Sequence, residues 1–179
     1  MQEICAEAGL SPGALYRYFP SKAELIIAIA ELNSEMARAP IDALDKMLPF
    51  RERLRLLAEA YFDRVARKDR ALAAEVLAEA VRDKALGARL AATEAPLRQA
   101  LAAFVREAQR RGEADPAIDS EQAARLLIAA LNAAATRLIV FQSDDAGSAL
   151  QDFMTLFHRF FAPTAGLTRA SQRELESVS

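Results

Sequence analysis

Residues 4 to 19 read Ile4-Cys5-Ala6-Glu7-Ala8-Gly9-Leu10-Ser11-Pro12-Gly13-Ala14-Leu15-Tyr16-Arg17-Tyr18-Phe19, and the fold follows from how two short helices share this stretch. Helices near 2–8 and 12–18 must turn a sharp corner between them. Gly9 is the hinge, because a left-handed residue after the first helix costs glycine little. Ser11 followed by Pro12 caps and starts the second helix with its dihedral already set. Cys5 and Ala8 are small enough for close approach, and Cys5 reads as buried filler. Ile4, Leu10 and Leu15 are expected to point inward. Gly13, Ala14, Tyr16, Arg17 and Tyr18 then share the outer face and its edges. This is a helix-turn-helix pattern.

Outward from this motif, apolar positions recur at helical spacing almost everywhere, and no alternating run suggests a strand. The chain reads as all-α. Gly and Pro punctuation predicts further helices near 22–38, 51–67, 70–86, 94–111, 120–141 and 147–161. Ser21 with Glu24 has the spacing of a capping box, and Asp119 with Gln122 repeats the device. Thr93 is placed to cap the helix whose first turn holds Pro96. The tail from Thr164 is polar and expected to be mobile. The corresponding division is a helix-turn-helix domain with connecting helix at 1–38, a helical regulatory and dimerisation domain at 39–163, and a tail at 164–179.

Composition agrees. The 179 residues can bury a core, and Ala, at 40 positions, outnumbers six Gly and seven Pro. A single Cys and a single His exclude both an internal disulfide framework and a Cys/His zinc cluster. A reducing compartment fits best. The longest stretches free of Asp, Glu, Lys and Arg, such as 126–136, fall well short of the roughly 20 residues a membrane helix needs. No secretory signal is read at the N-terminus, so the expected location is the cytoplasm. The formal net charge of −2 comes from interspersed charges and does not advertise a nucleic-acid partner.

The segments Ala8-Gly9-Leu10-Ser11, Gly13-Ala14-Leu15-Tyr16-Arg17-Tyr18-Phe19 and Ser21-Lys22-Ala23-Glu24-Leu25 resemble the DNA-binding signature of TetR-family transcriptional regulators. The resemblance implies a recognition helix in the major groove and a homodimer on a palindromic double-stranded operator. By position it implies base or groove contacts from Pro12, Gly13, Ala14 and Tyr16, and phosphate contacts from Ser11, Arg17, Tyr18 and Lys22. Lys22 has separate support, since a cation in a first helical turn opposes the macrodipole unless an anion is nearby, and a phosphate would supply one. It also reads as a solvated surface Lys, and Tyr16 and Tyr18 as half-buried packing aromatics. Ala14 stands where many relatives carry a hydroxyl, so readout there rests on apolar contact. The family carries another helix ahead of this motif, so the three-helix unit is expected to be incomplete as given. Residues 1–38 hold three cations against five acids, while phosphate contacts dominate DNA affinity.

Beyond Pro40 the resemblance is one of architecture. Apolar faces run through Leu54, Leu57, Ala58, Tyr61, Phe62 and Val65, through Leu72, Val76, Leu77, Ala80 and Val81, and through Leu97, Leu101, Phe104, Val105 and Ala108. They enclose either a packed core or a pocket. Tyr61, Glu79 and Asn132 could project into such a pocket, with Phe104 as its wall; each also reads as an ordinary edge or core residue. The apolar lining favours a lipophilic or aromatic small-molecule effector. The 147–161 helix is apolar over so wide an arc that a partner should bury the excess. Leu138, Phe141, Phe153, Leu156, Phe157 and Phe160 are therefore the expected interface of a two-fold four-helix bundle. His158 lies beside that stripe. With no phosphate loop, metal-spaced cluster or assembled catalytic set, the chain is read as no enzyme and as needing no cofactor. The expected function is a ligand-responsive regulator, most often a repressor in this family. The alternative is a helical small-molecule-binding dimer or enzyme without DNA binding.

Overall fold

The computed structural model describes residues 5–6, 9–66, 76, 78–138 and 145–162. Among them the regular structure is helical throughout: α1 (Pro12–Tyr18), α2 (Lys22–Ala43), α3 (Phe50–Ala66), α4 (Lys84–Thr93), α5 (Ala95–Arg110), α6 (Ser120–Thr136) and α7 (Ala146–Phe161). Residues 5–6 and 78–82 are helical as well. The chain divides into two compact units, one of residues 1–42 with 68–97, the other of 43–67 with 98–179. The N-terminal segment of the first unit ends at residue 42, near the end of α2. The first unit, however, also takes in 68–97, because side chains of 79–90 pack and pair with α2.

Local chemistry explains the helix ends. Gly9 has φ 64°, its N–H donates to Ala6 O at 3.3 Å, and the Leu10 N–H reaches Cys5 O at 2.9 Å. This is the paired closure in which a left-handed glycine satisfies the last carbonyls of a helix. Ser11 Oγ accepts the Ala14 N–H at 3.2 Å, and Pro12 opens α1. Asp83, Asp119 and Asp145 cap α4, α6 and α7 through their carboxylates. Gly9 has open space around a Cβ but not the right φ for one. Gly9→Ala is therefore expected to lower unfolding free energy by about 1–2 kcal/mol without altering the urea m-value.

Four expectations fail, each for a physical reason. Helix α2 runs through Pro40 to Ala43 rather than stopping near 38; the proline removes one backbone donor, and the Arg38–Asp42 ion pair at 2.9 Å spans the defect. The expected 70–86 helix is broken at Asp83, whose extended backbone starts α4. Thr93 does not cap α5, because its hydroxyl donates to Leu90 O at 2.8 Å as the last residue of α4. Leu10 and Val81, expected inside, are exposed, since the Gly9 turn and the 78–82 segment present them to solvent. Ile4, Leu72, Leu77, Phe141 and the tail lie outside the described residues.

In the first unit Ile26, Ile27 and Leu86 form a buried cluster, with Ala23, Val76 and Leu90 against it. In the second, α3, α6 and α7 pack on one another. Leu54, Ala58 and Phe62 on α3 and Phe153, Phe157 and Phe161 on α7 are all buried, and the two helices are in contact. Phe62 and Phe153 meet edge to face at 6.2 Å, and Phe50 lies 5.0 Å from both Phe104 and Phe161. Such ring pairs add specificity to the area term.

Candidate nucleic-acid interface

Helix α1 is held by one buried anchor, Leu15, while Ser11, Pro12, Gly13, Tyr16, Arg17 and Tyr18 are exposed and Ala14 is half-buried. These residues lie on one short helix and its cap, while Lys22 lies on the next helix. Tyr16 is 49% and Tyr18 75% exposed, so neither is a packing aromatic among the described residues. Arg17 makes no ion pair there either.

Lys22 opens α2, and the anion beside it is a carboxylate of this chain: Glu79 Oε2 lies 3.6 Å from its ammonium. The helix-dipole argument for a DNA phosphate at Lys22 therefore has a second answer inside the protein. It also relocates Glu79, expected in a ligand pocket, to the first unit. Of the other pocket candidates, Tyr61 donates to Asn132 Oδ1 at 3.0 Å. Phe104 is 4% exposed and sits under the Arg53 guanidinium, 4.7 Å from ring centroid to charge centre, so it is core. Tyr61, Asn132 and Phe104 belong to the second unit and Glu79 to the first.

Sequence reading missed the strongest contact behind α1. Ser21 Oγ accepts the Glu24 N–H at 3.2 Å, as a capping box requires. Glu24 does not reach back to Ser21. Its carboxylate instead takes both terminal nitrogens of Arg89, at 2.7 and 2.9 Å, a bidentate bridge from the first turn of α2 to α4. No local signal marks a partner 65 residues away. The Arg89 hydrogen bond lowers the Glu24 pKa from the ordinary glutamate value against a smaller opposing desolvation. A carboxyl with a depressed folded pKa contributes stability above its unfolded value and loses it as pH falls through the folded one. Glu24→Gln is thus expected to lower thermal stability modestly at neutral pH, to change little once the pH is below the folded pKa, and so to flatten the acid limb of the profile measured by circular dichroism.

Part of the face expected at a dimer lies inside this chain. Phe153, Phe157 and Leu138 are buried within the chain, at 4%, 2% and 8% exposure, because the spacing of the two phenylalanines points them at α3 and its neighbours rather than outward. Leu156, at 57%, remains exposed, Phe160 is half-buried, and Leu126 on α6 is exposed. His158 is exposed too.

A capped two-helix corner with an outward-facing second helix, followed by a helical domain, defines a helix-turn-helix protein. The chain belongs to the TetR family of bacterial regulatory proteins. Residues 1–29 match the family described as bacterial regulatory proteins, tetR family, and residues 49–139 match the tetracyclin repressor-like C-terminal domain. The HTH-type transcriptional regulator UidR of Escherichia coli K12 is 33% identical over 132 residues, 72% of this chain and 65% of its own length. The chain thus spans about two thirds of the curated relatives it matches. The structure of Salmonella enterica GusR is 30% identical with a TM-score of 0.68, covering 87% of this chain and 81% of that one. The fatty acid degradation regulator FadR of Bacillus halodurans shares the fold, at TM-score 0.70 and 17% identity over 86% of this chain and 83% of its own. These relatives are regulators, not enzymes. Among the described residues, no helix is long and apolar enough to cross a membrane.

Proposed function

We propose that this protein is a DNA-binding transcriptional regulator that acts as a cytoplasmic homodimer on a palindromic operator. The observation that carries this is the outward face of α1, with Pro12, Gly13, Tyr16, Arg17 and Tyr18 in solvent over the single anchor Leu15. Pro12, Gly13, Ala14 and Tyr16 would face base edges, and Ser11, Arg17, Tyr18 and Lys22 phosphates. The regulator acts as a repressor, released when a small, largely apolar effector binds one of its two states better than the other. Membership of a family of regulators supports this reading.

The dimer uses the exposed arc of α6 and α7, narrowed to Leu126, Leu156 and Phe160, with Phe141 beyond the described residues. Leu156→Glu is expected to shift the protein to monomer in sedimentation at micromolar concentration, since a desolvated charge has no partner there. An unchanged dimer would place the interface elsewhere.

The test of the main reading is salt-dependent binding of the protein to its own upstream DNA and to a random-site library. Specific binding whose affinity falls steeply with salt supports it. Failure on both would leave a helical ligand-binding dimer. Within that experiment Lys22 has its own outcome. Lys22→Ala is expected to reduce the log–log salt slope by about 1 if a phosphate displaces Glu79 in the complex. An unaltered slope means the Glu79 pair persists on DNA.

A further inference from the structure

Helix α1 is short and has one buried residue, Leu15, so its own packing does little to fix its direction. Its pose is set by the joint that leads out of it. Phe19 ends α1 by donating its N–H to Leu15 O at 2.9 Å. Two residues on, Ser21 ties the joint into α2, accepting the Glu24 N–H on Oγ and the Leu25 N–H on its carbonyl, both at 3.2 Å. Wherever the first turn of α2 sits, α1 follows.

That turn is held from α4. The buried residues of α2 are Leu25, Ile26 and Ile27, all near its start, and the two isoleucines share a cluster with Leu86. Arg89 stands one turn along α4 from Leu86, and Glu24 one turn back along α2 from Ile27, on the side that leads to α1. Apolar contact keeps two helices together without fixing a direction, whereas the paired hydrogen bonds at 2.7 and 2.9 Å fix one. Asp83 caps α4 through the Ala85 and Leu86 N–H groups, so the fork is carried on a firmly started helix. Glu24 is also the main partner of Arg89. Its hydrogen bond is the largest cause of a raised Arg89 pKa, desolvation opposes it, and the charges of Glu24 and then Glu31 add to it.

We infer that Arg89, acting through Glu24, is a positioning residue for DNA binding: it holds the first turn of α2 so that α1 keeps its exposed face in the pose that DNA meets. This role rests on the regulator reading. An exposed ion pair is weak by itself, so the loss per protomer on breaking it is only about threefold. A homodimer on two half-sites multiplies that to about tenfold.

The test is anisotropy titration of the full chain, at neutral pH and fixed salt, on its own upstream DNA and on the site selected from a random library. Charge and position predict opposite signs here. Removing a carboxylate beside the DNA-facing helix strengthens binding if only charge counts, yet Glu24→Gln is expected to weaken it about tenfold. Arg89→Gln should lose about tenfold too, and the double variant no more than either, because both remove the same bridge. Arg89→Lys keeps the charge without the fork and should lose about threefold. Arg38→Gln removes the same unit of charge and breaks an ion pair, with Asp42, near the other end of α2, and should stay within about twofold of the parent protein. Glu24 and Arg89 are both nearly half exposed, and far-UV spectra at the titration temperature show whether each variant is folded. The inference is overturned if Glu24→Gln binds as tightly as the parent or more tightly, if the two single losses add in the double variant, or if Arg38→Gln loses as much as Arg89→Gln. A parent protein that binds neither DNA removes the regulator reading and this role with it. A parent that binds specifically, with the bridge variants binding equally well, removes this role alone.

Discussion

Arg53→Ala is expected to lower the unfolding free energy by about 3 kcal/mol or more, whereas Arg53→Met should cost less than about 1.5 kcal/mol and could raise stability. Arg53 is 2% exposed, and its guanidinium carbon lies 4.7 Å from the Phe104 ring centroid. Only Nη1 is well used, donating to Glu107 Oε1 at 3.2 Å; Nε and Nη2 are buried without partners. Two effects compete. The ion pair and the ring contact favour the folded state, while two unanswered N–H groups on a desolvated charge oppose it. The native arginine therefore already carries a penalty that an apolar chain of similar length would not. Methionine keeps the packing on Phe104 and removes that penalty. Alanine removes the packing and leaves a cavity. Glu107 is not stranded in either variant, since Arg111 approaches it at 3.5 Å and it is partly exposed. Urea unfolding decides between the terms. If methionine is as damaging as alanine, the charge and not the stem holds this corner.

The same corner shows why parts of the fold were legible in the sequence and others were not. Ser11-Pro12, Ser21, Asp119 and the Gly9 hinge act through bonds within five residues, so the sequence alone locates the starts of α1, α2 and α6. The Arg53–Glu107 pair and the Glu113 carboxylate that accepts the Phe50 N–H at 2.6 Å join positions 54 and 63 residues apart, and no local pattern announces them. Pro40 misleads for the converse reason. A local rule stops the helix there, and an ion pair across the defect together with packing of α2 carries it on. The contact face on α1 was readable because its motif is local. The Glu24–Arg89 bridge was not, because it joins positions 65 residues apart. The aromatic stripe of α7 is the intermediate case. Its periodicity marks a buried face, but which side belongs to the chain's own core depends on where α3 lies, and Phe153 and Phe157 went inward while Leu156 did not.

On the proposed function, removing both Tyr16 and Arg17 side chains should weaken operator binding by about 10²- to 10³-fold, and the single variants should fail differently. Arg17→Ala is expected to weaken binding to all sequences alike and to reduce the salt slope by about 1, because its guanidinium, free of ion pairs in the described structure, answers a phosphate. Tyr16→Ala should leave the slope intact and flatten preference at one or two base pairs by about 1–3 kcal/mol, as loss of a groove contact does. Neither change should disturb the fold, since both side chains are exposed and the anchor of α1 is Leu15. Electrophoretic or anisotropy titrations at several salt concentrations, on the operator and on single-base variants, read both quantities. If Arg17→Ala relaxes sequence preference at constant slope, the helix lies in the groove with the arginine on a base edge, and the two roles are exchanged. If the double variant binds as tightly as the parent protein, α1 is not the DNA-facing helix. The positive charge that binds phosphates would then have to come from another surface, because Lys22 has Glu79 beside it and acids outnumber cations over residues 1–38.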